Sequence, residues 1–168
     1  MPISFRPSSG DGAAQSPIEP GQLVVTAVVE ASSVRPGPDL PLYLERVPAG
    51  FPSPADDYVE GRLNLHELVE ANSPSCYFLR VEGWSMKDEG IHHGDVLVVD
   101  RAAEPRNGCV VVASIDGELT VKRFLWTGKR PRLLAANVDY PAIELEEGQE
   151  LTIWGVVTHS LRDHRPRR

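Results

Sequence analysis

From position 76 onward the chain alternates short apolar runs with turn residues. The stretches 76–81, 95–100, 109–115, 119–126, 132–136, 143–145 and 151–160 are rich in Val, Leu, Ile and Phe, and turn residues punctuate them. That pattern predicts strands. Ile115-Asp116-Gly117-Glu118 predicts a tight β-hairpin, since Asp-Gly supplies the positive φ angles that a two-residue turn demands. Residues 127–131 and 146–149 read as further turns. Between 56 and 69, Val59, Leu63, Leu65 and Leu68 fall at helical spacing and predict one or two short turns of helix. About seven strands at this spacing predict a mostly β domain, a compact antiparallel barrel or folded sheet.

The first 49 residues have a different texture. They hold 8 of the 15 prolines, with only 22–30 suited to a short strand, and they read as an extended or disordered arm. The arm offers no pair of amphipathic helices, so a helix-turn-helix head is missing. The whole chain of 168 residues carries 17 Lys+Arg against 24 Asp+Glu, a net charge of −7. Binding duplex DNA through phosphate neutralisation is disfavoured by that balance. The longest apolar run, 23–29, is far short of the roughly 20 residues that span a bilayer. Two cysteines, Cys76 and Cys109, are too few for a disulfide scaffold or a zinc ribbon and suit a reducing cytoplasm. Residues 162–168 hold four arginines and one aspartate and read as a basic, solvated tail.

Candidate chemistry starts at Ser85, in Gly83-Trp84-Ser85-Met86, between a strand end and a helical turn. Backbone N–H groups there can form an oxyanion hole, although a serine in that position also serves as a plain helix cap. Three bases can be weighed. His92 and His93, with Asp95 close behind, could build a triad, but adjacent residues in a turn point apart. Lys87 is two positions from Ser85, a spacing that does not face across a helical turn. Lys122 follows the Asp116-Gly117 turn, and alternation puts it on one strand face with Glu118, Thr120, Phe124 and Trp126. Beside two aromatic rings it could be desolvated, which lowers a lysine pKa by up to about 3–5 units and yields a neutral amine. The competing reading is an exposed lysine on a basic hairpin with Arg123, Lys129, Arg130 and Arg132.

Five ordered motifs then combine. They are Ala49-Gly50-Phe51-Pro52-Ser53-Pro54, Gly83-Trp84-Ser85-Met86, Gly94-Asp95-Val96-Leu97-Val98-Val99-Asp100, Asp116-Gly117-Glu118-Leu119-Thr120-Val121-Lys122 and Trp154-Gly155-Val156-Val157. Together they resemble the LexA/UmuD family of self-cleaving Ser-Lys peptidases, with Ser85 to Lys122 (37 residues) and Gly50 to Ser85 (35 residues) both in register. The resemblance implies an arm, 1–49, removed by self-cleavage between Ala49 and Gly50, a peptidase domain at 50–161 and the basic tail at 162–168. It makes Ser85 the nucleophile, Lys122 the general base, and the backbone N–H groups of Trp84 and Ser85 the oxyanion hole. No metal or cofactor is implied. It further implies a cytoplasmic homodimer, cutting stimulated by a RecA filament on single-stranded DNA, and a processed form that joins a UmuC-type Y-family polymerase in SOS translesion synthesis. Neither a membrane nor specific duplex DNA is expected as a partner. Two rivals stand beside this reading: a dimeric binding module that no longer cuts, and a LexA-type regulator without a DNA-binding head. The arm is longer than the resemblance implies and lacks a repressor's helical head.

Overall fold

The computed structural model describes residues 3–5, 21–43, 59–128, 130–143 and 149–165. The Ala49-Gly50 bond, Lys129, the turn at 146–148 and the tail beyond 165 lie outside them. Among the described residues the strands are β1 (Ile3–Phe5), β2 (Val24–Glu30), β3 (Leu40–Tyr43), β4 (Val59–Leu63), β5 (Cys76–Glu82), β6 (Val96–Asp100), β7 (Val110–Ile115), β8 (Glu118–Trp126), β9 (Pro131–Leu134) and β10 (Leu151–Leu161). One short helix, α1 (Leu65–Leu68), joins them.

Six strands close into an antiparallel barrel in the order β10-β6-β5-β2-β8-β7, with β7 returning to pair β10. The mostly β, barrel-like architecture expected from the strand spacing is therefore present. Closure depends on β10, whose 11 residues pair with β6 on one side and β7 on the other, with register shifts between Ile153 and Gly155 and between Val157 and His159. Such bulges bend a strand and increase its twist, which lets one strand serve both ends of a rolled sheet. The β7–β8 hairpin turns through Asp116 and Gly117 at φ of 50° and 90°, the left-handed pair that its sequence demands.

Alternation on β7 sorts its side chains into two cores. Val112 joins Leu23, Leu79, Val81, Met86, Leu97, Val99 and Val121, while Val111, Ala113 and Ile115 join Phe124, Leu133, Leu151 and Ile153. Both faces of the strand are thus covered, and a lysine on the next strand of the hairpin is enclosed with them.

Three local expectations are corrected. The stretch 59–63 is strand β4, paired with β3, and only Leu65–Leu68 is helical. Val59 and Leu63 are four apart, which fits a helix turn but fits a strand face of period two equally, and the β3 ladder decides for the strand. Asn64 caps α1 by accepting from the His66 and Glu67 N–H groups. Ile143 forms a single bridge to Leu133, and 144–145 lie outside the described residues. Finally, β2 is not peripheral. This strand of the arm stands between β5 and β8 as one stave of the barrel, pairing at length with β5 and through Val24 with Thr120 of β8.

Candidate active site

Ser85 sits in the turn after β5, just before the short 3₁₀ turn at Lys87–Glu89. The loop is fixed by backbone bonds to the segment after β9, Ala136 N–H to the Ser85 carbonyl at 2.8 Å and Asp88 N–H to the Ala136 carbonyl at 2.8 Å. Asn137, itself buried, donates from Nδ2 to the Trp84 carbonyl at 2.9 Å. Lys122 reaches the same point from the middle of β8. Both Ser85 and Lys122 have no solvent exposure, and Lys122 is among the largest fully buried side chains. The exposed-lysine reading is thereby set aside.

The ammonium nitrogen lies 3.1 Å from Ser85 Oγ, 3.0 Å from Thr120 Oγ1 and 3.0 Å from the Val121 carbonyl. Thr120 donates its own hydroxyl hydrogen to the Leu23 carbonyl at 2.8 Å, so its oxygen is an acceptor toward the lysine. Two anchors, Thr120 and Val121, therefore fix two of the three tetrahedral directions at Nζ and aim the third at Ser85. Burial pulls the Lys122 pKa down from 10.5 to about 7, because the enclosed ammonium loses its hydration. Near neutral pH a large fraction is a free amine whose lone pair occupies that third direction. Such an amine can take a proton from Ser85 Oγ.

The remaining candidates separate from this pair. His92 and Asp95 belong to a second cluster: Arg162 donates from Nε to Asp95 Oδ1 at 3.1 Å and from Nη2 to Oδ2 at 2.8 Å, and also contacts His92 Nδ1 and the Gly90 carbonyl. The first residue of the basic tail is therefore tied to the domain. Burial pushes the Asp95 carboxyl up, but the Arg162 hydrogen bonds and the His92 N–H more than offset it, leaving the carboxyl below its ordinary value. Arg162→Ala is expected to lower the urea midpoint at pH 7. A group held below its unfolded pKa adds stability above about pH 3.9 and loses it as pH falls through its lower folded-state pKa, so the difference between variant and wild type should be smaller at pH 3 than at pH 7. Unfolding series at pH 7 and pH 3 check this. His93 lies under the Trp84 ring, stacked at 5.8 Å and 18°, while His92 meets the ring edge-on at 6.2 Å. Lys87 pairs with Asp139 at the surface, 3.3 Å away.

Of the two backbone donors expected to form an oxyanion hole, the Trp84 N–H binds a carbonyl, that of Gly21, at 3.0 Å. The segment leading into β2 covers the pair from its other side. Leu23 N–H donates to Ser85 Oγ at 2.9 Å, and Val121 N–H donates to the Leu23 carbonyl at 3.1 Å.

Known proteins share this arrangement of sequence. Residues 41–158 match the Peptidase S24-like family. The chain belongs to that family. A stretch of 138 residues is 47% identical to Protein MucA of Salmonella typhimurium, covering 82% of this chain and 94% of MucA. Protein SamA of Salmonella typhimurium strain LT2 is 48% identical over 118 residues, 70% of this chain and 81% of SamA. The LexA repressor of Acidovorax sp. strain JS42 is 40% identical over 124 residues, 74% of this chain but 54% of the repressor. The LexA/UmuD-type resemblance is thus upheld, and with it a serine-peptidase kind of protein. No helix among the described residues is long and apolar enough to cross a membrane.

The motifs did not single out Thr120, Asn137 or Leu23. Thr120 had a signal, since it shares the Lys122 face two residues earlier. Asn137 and Leu23 act through contacts 53 and 62 residues away, which no local pattern carries.

Proposed function

We propose that this S24-family protein is a serine endopeptidase that cuts its own Ala49-Gly50 bond through a Ser85–Lys122 dyad. The observation that carries the reading is a fully buried lysine with a near-neutral pKa, 3.1 Å from a fully buried serine hydroxyl. Neutral Lys122 takes the Ser85 proton as Oγ attacks the Ala49 carbonyl carbon. The Trp84 and Ser85 N–H groups receive the developing oxyanion, which such preorganised donors stabilise. Lys122 then gives its proton to the Gly50 nitrogen, the C–N bond breaks and Ala49 remains as an ester on Ser85. A water molecule, deprotonated by Lys122, attacks that ester and frees the Ala49 carboxylate. Two small residues at the cut suit a narrow site, and Pro48 and Pro52 keep its flanks extended.

In the setting that the family resemblance implies, the processed chain serves SOS translesion synthesis as a cytoplasmic homodimer with a UmuC-type Y-family polymerase, and a RecA filament on single-stranded DNA speeds the cut. The identity to MucA and to the LexA repressor supports that context.

Intact-mass measurement of the purified chain at alkaline pH tests the peptidase. Wild type is expected to yield fragments 1–49 and 50–168, and Ser85→Ala neither, a loss of at least about 1000-fold in rate. An intact wild type, even with a RecA filament added, would leave the dimeric binding module as the better reading.

A further inference from the structure

We propose that residues 21–24 form an internal plug, a strand of the chain's own arm that occupies the Ser85–Lys122 cleft in place of the Ala49-Gly50 bond and must leave before that bond can enter. The inference rests on reading the dyad as the catalytic pair.

The segment uses the polar groups a substrate would need. Trp84 N–H is taken by the Gly21 carbonyl, Ser85 Oγ by Leu23 N–H, and Thr120 Oγ1 and Val121 N–H by the Leu23 carbonyl. One serine oxygen and one oxyanion donor cannot serve two backbones, so residues 21–24 and 49–50 exclude each other. The Leu23 side chain is fully buried in the core beside Met86 and Val81, which anchors the strand.

The plug is held in an orientation that does not lead to its own cleavage. A nucleophile reaches a carbonyl carbon from above the amide plane. Here Leu23 N–H points at Ser85 Oγ, so the oxygen lies at the N–H edge of the Gln22-Leu23 peptide, within its plane. A hydrogen bond thus stands where an attack would have to begin.

Two features fit the segment for release. Gly21 has a φ of 84°, and a Cβ there would lie 2.6 Å from the Tyr140 hydroxyl, so the plug depends on this glycine. Gln22 is buried at 3% exposure, and its Oε1 has no hydrogen-bond partner. Burying an acceptor with no donor is unfavourable, so the closed state carries an unmet polar group that opening would hydrate. A plug held by four hydrogen bonds and one buried leucine, and loosened by one unmet glutamine oxygen, can be displaced.

The test uses the full chain with two substitutions of opposite sign, followed as the rate of cutting at Ala49-Gly50 at pH 8. Gly21→Ala strains the plug and should speed cutting about tenfold, while Gln22→Met removes the unmet oxygen and should slow it about tenfold. A general loss of folded protein would slow Gly21→Ala, the opposite of the sign expected from release of the plug. Rates that are equal in all three chains, or a cut within residues 21–24, would overturn the plug. Amide exchange of Val121 in the wild type at pH 6, where the dyad is largely idle, reads the plug without any cutting. Protection there that falls in Gly21→Ala and rises in Gln22→Met supports the plug even if the peptidase reading fails; exchange as fast as an exposed amide overturns it even if the chain cuts itself.

Discussion

Lys122→Met is expected to end self-cleavage and, in the same molecule, to raise folding stability at pH 6. The amine is fully buried and its pKa falls from 10.5 to about 7. Each tenfold loss of proton affinity is about 1.4 kcal/mol, so keeping the charged form inside the barrel costs on the order of 4–5 kcal/mol. Below pH 7 both folded and unfolded chains hold the proton, and the whole cost is present. Between pH 7 and about 10.5 the unfolded chain binds more protons than the folded one, so wild-type stability rises with pH across that window as the cost fades. Methionine carries no charge to bury, but it forfeits the hydrogen bonds to Ser85, Thr120 and Val121, each worth about 1 kcal/mol. The variant should therefore be more stable by about 2 kcal/mol at pH 6 and less stable near pH 10, with a crossover between. Urea midpoints of both proteins at three pH values check it. A difference that is constant in pH would mean that Lys122 is hydrated and unsuited to act as a base. The rate of wild-type cutting should trace the same ionisation, climbing about tenfold per pH unit below 7 and levelling above.

Gly83→Ala is expected to have the second large effect, a loss of about 3 kcal/mol or more in stability together with loss of cutting. Gly83 has a φ of 123°, which L side chains rarely adopt. A Cβ there would lie 2.2 Å from the Gln22 carbonyl oxygen and 2.8 Å from Leu23 Cα, both backbone atoms that cannot swing aside. The strand must back out, taking Leu23 from the core, and truncating or displacing a buried leucine typically costs about 2–5 kcal/mol. Unlike Gly21→Ala, this substitution leaves its Cβ in the cleft wall, where it obstructs any strand, the scissile one included. Measured midpoints and cutting rates should fall together. A stable Gly83→Ala protein that cuts at the wild-type rate would mean that substrate backbone does not pass this wall.

Local pattern left Ser85 and Lys122 as candidates among several, and it was the family resemblance that paired them; what lay close by in the chain was the strand parity of the lysine. Asp116-Gly117 fixes the hairpin, the hairpin fixes parity, and parity puts Thr120, Lys122 and Phe124 on one face. Strands β5 to β8 were legible for the same reason, each a dense apolar run between turn residues. The place of β2 was not. Its outer half, Ala27 to Glu30, is exposed, so its apolar residues give no alternation to follow. Its position is set by the free edges of β5 and β8, and the Thr120 hydroxyl that meets it lies 97 residues away. Asp95 and Arg162 are similarly distant, 67 residues apart, and nothing local to the basic tail tells that its first arginine has a buried carboxylate waiting. The helical reading of 59–63 failed where spacing alone could not choose between periods.

Strands β2 and β3 precede residue 49, and their neighbours β4, β5 and β8 follow residue 50. Hydrolysing that bond breaks no ladder hydrogen bond: β2 keeps six Cα partners on β5, and β3 keeps four on β4. If the proposed cut occurs, its immediate product is a nicked protein whose two chains are still joined through the β2–β5 and β3–β4 ladders. Its subsequent fate runs on two clocks. The first is chemical, started when the scissile bond gains the cleft. The second is the residence time of a peptide on a sheet, which depends on concentration only for the return journey. On the proposed reading, dilution in a cell makes that return rare, and the departure of the arm, not the cut, is the step that erases the protein's earlier state.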